Sequence, residues 1–266
     1  MDPFALTLVL VAAIFHAAWN RLLHETRDRV ATMAVAGLIG GALLLPAAVF
    51  APPSRVLPLI VLSALAEAAY ALCLSAAYRR GALSLAYPIG WGVAPLLVTL
   101  GGWLVLAQEP MPVAVAAAGM LVAGLVLVAT ARRHATNSAA AIGFATLTGV
   151  TIATYSLIDA RAVHQVSPAS YLGVVLVLES LLLVLWMRGS WSRLRRAAGP
   201  GIGVAVGTVA AYLLVLLAFQ RTGTGRVATL REISVLVGLL LAREQVGWRV
   251  WIGAALVVSG AVAAVL

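Results

Sequence analysis

The chain has 266 residues, of which 63% are hydrophobic and 10% charged, with a mean hydropathy of +1.05. A soluble domain is about 45–50% apolar and about 25% charged, and a water-soluble chain as apolar as this one would expose large aggregating patches. Composition therefore excludes a soluble domain and a disordered chain, and specifies an all-α polytopic membrane protein. All eighteen basic residues are Arg, against nine acidic ones, for a net charge of +9. They stand singly or in small groups between apolar runs, a loop pattern at a membrane surface and not a nucleic-acid footprint. The single Cys73 permits neither an internal disulfide nor a cysteine metal cluster. His16, His24, His134 and His164 show no ligand spacing. Neither a metal nor a cofactor is expected.

A helix needs roughly 20 apolar residues to cross the hydrocarbon, and ten such runs are marked off by polar or Gly/Pro punctuation. The first, 4–22, lacks a basic leader region, so it reads as a retained helix; His16 and Asn20 lie one turn apart in it, with Trp19 alongside. The second spans 30–50. In the third, 56–78, Ser63, Glu67 and Tyr70 share a face. The fourth, 82–106, places Tyr87 and Trp91 one turn apart. Its Pro88 and Pro95 each remove a backbone hydrogen bond and, with Gly90 and Gly92, make it either a bending gate or a static kink. The fifth, 111–131, and the tenth, 247–266, carry the small residues Gly119, Ala123, Ala255 and Ser259 at four-residue spacing, which suits packing or dimerisation. In the sixth, 139–160, Thr148, Thr151, Tyr155 and Asp159 share a face. The seventh, 168–187, has Glu179 near its middle. The eighth, 200–220, has Thr208 and Tyr212 one turn apart, and the ninth, 224–242, holds Arg231 and Glu232. Trp103, Trp186, Trp191, Trp248 and Trp251 lie near run ends and read as interfacial anchors. Runs such as LLVLLAF do not alternate, which excludes a membrane β-barrel, and in lipid only helices satisfy the backbone of runs this long.

The chain repeats itself. LVLAQEP, with Glu109, resembles LLLAREQ, with Glu244, 135 residues later, and AAGMLVAG resembles GAALVVSG, 136 residues later. The predicted fold is thus ten transmembrane helices in two five-helix repeats, 1–135 and 136–266. Five is odd, so the second copy is inverted. Inverted repeats are a transporter signature, with the site near the midplane between the halves. Thirteen Arg fall in the loops after odd-numbered runs and four in the loops after even-numbered ones. The positive-inside rule then places the odd loops in the cytoplasm and both termini outside.

Charge at the bilayer centre costs about 2.5–3.5 kcal/mol on insertion scales and is rare without a use. Glu67, Glu179, Arg231 and Glu232 fall near mid-run, and Asp159 nearer an end. Glu67, Glu179 and Glu232 are candidates for proton coupling or for binding a substrate amine. The alternative is a structural Arg–Glu pair that fixes helix rotation. Arg231 is a candidate partner for a substrate carboxylate or phosphonate. No H-E-x-x-H or Walker-type loop occurs, nor a G-x-S-x-G elbow. An enzyme is therefore not expected, and an intramembrane enzyme or a channel is a remote alternative.

Three segments carry a family resemblance: FHAAWNRLLHETRD, GALSLAYPIGWGVAPLLVTLGGWLVLAQEP and TLREISVLVGLLLAREQVGWRVWIGAALVVSGAVAAVL. Together they resemble the EamA-type transporters of the drug/metabolite transporter superfamily. The resemblance implies ten helices in two inverted repeats and a cavity lined mainly by the first, third, fourth, sixth, eighth and ninth. It implies transport of small organic solutes, often export, across a bacterial cytoplasmic (inner) membrane. It also implies both termini inside, against the Arg count, and relatives often have Arg where Trp91 stands. The expected function is a secondary transporter, working by alternating access, for small amino-acid-like, zwitterionic or amphiphilic metabolites. The alternative is uptake of a small amine or phosphonate-type nutrient. Substrate-binding candidates are His16, Trp19, Asn20, Glu67, Tyr70, Tyr87, Trp91, Tyr155, Asp159, Tyr212, Arg231 and Glu232. Expected partners are a small-molecule substrate and the lipid bilayer, with the chain a monomer or a homodimer.

Overall fold

A computed structural model describes residues 2–81, 83–108, 112–131, 139–234, 237 and 247–263. The described residues form ten α-helices: α1 (Pro3–Glu25), α2 (Arg29–Phe50), α3 (Leu57–Arg80), α4 (Leu83–Leu106), α5 (Pro112–Ala131), α6 (Ala139–Val163), α7 (Pro168–Trp186), α8 (Trp191–Phe219), α9 (Thr224–Arg231) and α10 (Trp248–Ala263). Among them no strand appears. Seven helical segments, in α1–α4 and α6–α8, are long and apolar enough to cross a membrane.

Local chemistry sets the helix ends. The Asp2 carboxylate accepts from the Phe4 N–H at 3.2 Å and starts α1. Asp28 does the same for α2 through Ala31 N–H at 3.2 Å, each satisfying an amide that a helix start leaves orphaned. Pro168 opens α7, where its missing N–H costs nothing. The helices are apolar on the outside as well as the inside. Leu43, Leu104, Leu185, Ile202 and Val206 are exposed, which in water would be a liability and in lipid is the required surface.

α2 packs along α7, α3 along α6, α1 along α8, α5 along α10, and α4 along α6 and α5. The α2–α7 crossing depends on small residues: a methyl on Gly37 would fall 2.2 Å from Ser180 Oγ and 3.1 Å from the Leu176 carbonyl. Close backbone approach of this kind stands in for the hydrophobic effect between helices in lipid. At one end of the bundle Arg193 grips Asp28 with two hydrogen bonds, of 2.7 and 2.9 Å. At the other, Gln108 accepts from Thr224 N and Oγ1 at 3.2 and 3.0 Å, and Gln220 donates to the Val163 carbonyl at 2.6 Å. The first end carries Arg21, Arg27, Arg29, Arg79, Arg80, Arg188, Arg195 and Arg196 beside Arg193, and is the Arg-rich end. Two apolar clusters fill the interior. One, near the Arg-rich end, includes Leu23, Leu74, Tyr78 and Leu183; the other includes Val56, Ile60, Val163 and Phe219.

Three expectations from the sequence are corrected. The eighth helix begins at Trp191, not at 200, and Pro200 lies inside it. Pro200 leaves the Arg196 carbonyl without its helical donor. The ninth run is not one continuous helix: α9 ends at Arg231, Glu232 lies in a turn, and helix resumes at 233. α5 and α10 do pack together, but Gly119, Ala123, Ala255 and Ser259 are exposed. The close approach there is Gly260 against the Ala117 carbonyl, where a methyl would fall 2.6 Å away.

Candidate functional site

Helices α1, α2, α3, α6, α7 and α8 line a cavity of about 40 Å3. His16 and Trp19 of α1 face Glu67 and Tyr70 of α3, Tyr155 of α6 and Tyr212 of α8, while Glu179 of α7 and Thr208 of α8 add polar groups. A water needs about 10–15 Å3, so the space admits a few waters and no organic metabolite.

The wall is largely aromatic and its rings are locked. Trp19, His16, Trp91, Tyr70, Tyr155 and Tyr212 contact edge to face in one chain, with successive centroids 5.1, 5.4, 6.0, 5.7 and 5.6 Å apart. Edge-to-face contact is the favoured geometry of such rings, and ring faces can hold a cation. The Glu67 and Glu179 carboxyl groups come within hydrogen-bonding reach of each other across the cavity. Both are almost fully buried.

Asp159 stands apart from the wall. Its carboxylate accepts from Ser63 Oγ at 2.6 Å, from Tyr171 Oη at 2.6 Å and from Tyr212 Oη. These donors sit on α3, α7 and α8, so one buried group on α6 ties four helices together near the end opposite the Arg cluster. Arg231 is 1% exposed, and among the described residues its Nε and Nη2 have no hydrogen-bond partner. Its electrostatic neighbours are Tyr155, Glu232, Tyr212 and Tyr70. The two carboxyl oxygens of Glu232 likewise lack partners among the described residues.

The structure thus brings seven of the expected residues into one wall: His16, Trp19, Glu67, Tyr70, Tyr155, Glu179 and Tyr212. Trp91 is fully buried against His16 and Tyr70. Asn20 ties α1 to α3: its Nδ2 donates to the His16 carbonyl at 3.0 Å and its Oδ1 accepts from Tyr78 Oη at 3.1 Å. Pro95 is buried in α4, which is helical from Leu83 to Leu106. The side chains of Tyr87 and Pro88, and Glu109 and Glu244 altogether, lie outside the described residues. Sequence reasoning missed Tyr171, because a Tyr in the first turn of a membrane helix reads as an interfacial anchor. It also missed the break after Arg231, which no Gly or Pro announces in LREISV.

Residues 139–266 match the EamA-like transporter family. Over 267 residues the chain is 26% identical to YwfM, an uncharacterized transporter of Bacillus subtilis (strain 168), covering 95% of this chain and 90% of that one. A solved crystal structure shares the fold, with a TM-score of 0.72, 18% identity, and 99% of this chain and 97% of the other covered. With seven helical segments apolar enough to cross a membrane among the described residues, the chain is a multi-pass membrane protein whose residues 139–266 are similar to the EamA-like transporter family.

Proposed function

We propose that the chain is a secondary transporter that exports small amine-bearing, zwitterionic or amphiphilic metabolites by alternating access, with proton exchange at Glu67 and Glu179. The reading rests on one observation: two buried carboxyl groups, one from each half of the chain, meet on an aromatic wall. A hydrogen bond between two carboxyl groups needs one proton between them, and an ammonium group can take that proton's place. Ring faces add cation–π attraction. Arg231 is not part of the described wall, but its unpartnered nitrogens suit a substrate carboxylate that reaches past the tyrosines.

The same proposal includes ten membrane spans in two inverted repeats, 1–135 and 136–266, that rock about the cavity. Its support is the pairing of helices. Exchanging α1–α5 with α6–α10 leaves α2–α7 and α5–α10 as they are and turns α3–α6 into α1–α8. A two-fold relation between halves produces that pattern. The Arg-rich end faces the cytoplasm in this reading.

An untargeted comparison of cells and medium, with and without the protein, tests it. An amine-bearing solute accumulates in the medium of expressing cells. Glu67→Gln and Glu179→Gln each abolish its export or flatten the pH profile, and Arg231→Gln weakens transport of carboxylate-bearing solutes. Wild-type rates and pH profile in both Glu variants would remove the carboxyl pair from the mechanism. Unchanged transport of every anionic or zwitterionic solute by the Arg231 variant would remove Arg231.

A further inference from the structure

Away from the cavity, a groove of about 210 Å3 lies on the flank of the bundle at its Arg-rich end. The last two turns of α3 supply Leu72, Cys73, Ala76, Arg79 and Arg80, and Phe144 and Trp186 close it from the neighbouring ends of α6 and α7. Arg80 is held in place: its Nη1 donates to the Ala76 carbonyl at 3.1 Å, and its guanidinium carbon lies 4.8 Å from the centre of the Phe144 ring. Arg79 and Arg80 are both exposed. No acidic side chain lines the groove, and among the described residues neither Arg forms an ion pair with a carboxylate.

Below the two guanidinium groups the surface turns to hydrocarbon. Leu62, Leu65, Ala69, Leu72 and Ala76 recur every three or four residues and share one face of α3. Leu62 and Leu65 are half exposed, and so is Trp186 at the end of α7. Paired positive charge at a helix end, above an apolar stripe running toward mid-membrane, is complementary to a phosphodiester with acyl chains. A free phosphate would leave the stripe unused.

We propose that this groove binds the headgroup of an anionic membrane lipid. Arg79 and Arg80 contact the phosphate, an acyl chain follows Leu72, Ala69 and Leu65, and the Trp186 indole lies at the boundary, where such rings settle. Basic pockets between membrane helices have this chemistry.

Native mass spectrometry of the full chain in detergent, with equal amounts of phosphatidylglycerol and phosphatidylcholine, tests the site. The wild type retains phosphatidylglycerol selectively. Arg79→Gln with Arg80→Gln reduces that selectivity roughly 30-fold, from about one headgroup attraction per Arg. Arg195→Gln with Arg196→Gln removes the same charge at the same end, outside the groove, and leaves selectivity intact. Equal loss in both double variants would mean diffuse charge attraction and overturn the site. So would displacement of the lipid by inorganic phosphate at millimolar concentration, which would mark a free-anion site. Cys73 is the only cysteine in the chain, so N-ethylmaleimide on the folded wild type blocks the groove with both Arg in place and no refolding. Labelled protein loses its phosphatidylglycerol; undiminished retention overturns the proposal.

Discussion

Asp159 shows what a single buried carboxylate does in a membrane bundle. An unpaired charge there would cost several kcal/mol, and three hydroxyls supply what water would. Hydrogen bonds to a charged group contribute about 1.5–3 kcal/mol each. Tyr171→Phe should therefore lower the unfolding midpoint in detergent by roughly 4–10 °C; a shift under about 1 °C would show that the Tyr171 hydroxyl is not a partner. The face shared by Thr148, Thr151, Tyr155 and Asp159 was legible from periodicity alone, since Thr148, Tyr155 and Asp159 are all buried. The donors to Asp159 were less so. Ser63 and Tyr212 stood out on their own helices, but nothing in the sequence says that residues 63, 171 and 212 converge. That information lies in how helices cross, which one-dimensional spacing does not record.

At the scale of helices, close packing and end chemistry decide. Gly37→Val places a side chain where Ser180 Oγ already sits. Overpacking of this kind costs about 1–3 kcal/mol, to be read as a lower unfolding midpoint, whereas Gly40→Ala adds a single methyl that meets side-chain atoms of Val209 and Leu176 and no backbone, and should cost less. The Asp28–Arg193 pair is a pH-sensitive tie between the α2 start and α8. Hydrogen bonding from Arg193 holds the Asp28 carboxyl below the ordinary carboxylate range, against partial burial and with help from Ala31 N–H. A depressed folded value means the contribution is present above the unfolded value of about 3.9 and is lost as pH falls through the folded one. Melting scans between pH 7 and pH 3 should show this loss in the wild type and not in Asp28→Asn, which keeps a capping side chain without the charge. The effect is small, at most about 1 kcal/mol for so exposed a pair. Helix positions were mostly readable from hydropathy. The start of α8 was not, because Pro200 mimics a helix start and the Arg-rich turn before it mimics a loop.

For the whole molecule, charge placement carries the orientation. Arg accumulates at one end of the bundle, and the orientation we propose from the positive-inside rule has that end in the cytoplasm and both termini outside. In a Cys73→Ser background, a cysteine placed near either terminus should react with an impermeant maleimide in intact cells. Reaction only after the cells are opened would reverse the assignment. Composition was enough to specify a membrane protein. The cavity was only half visible. Glu67 and Glu179 were conspicuous singly as charges in apolar runs. Their meeting depends on α3 and α7 being neighbours, although they are separated by three helices in sequence.

The Asp159 cluster has a kinetic corollary. Of its three hydroxyl donors only Ser63 lies in the first half of the chain; Tyr171 and Tyr212 share the second half with Asp159. Where the halves rock apart as proposed, α3 leaves α6 and the Ser63 contact alone must break. One such contact represents about 1.5–3 kcal/mol, and every 1.36 kcal/mol is tenfold in rate, so it would slow opening by roughly 10- to 150-fold. Turnover would then be set in part, as in many gated proteins, by a hydroxyl group that is not part of the cavity wall. Removing it in Ser63→Ala would yield a protein that melts earlier and cycles faster, so thermal stability and speed would change in opposite directions.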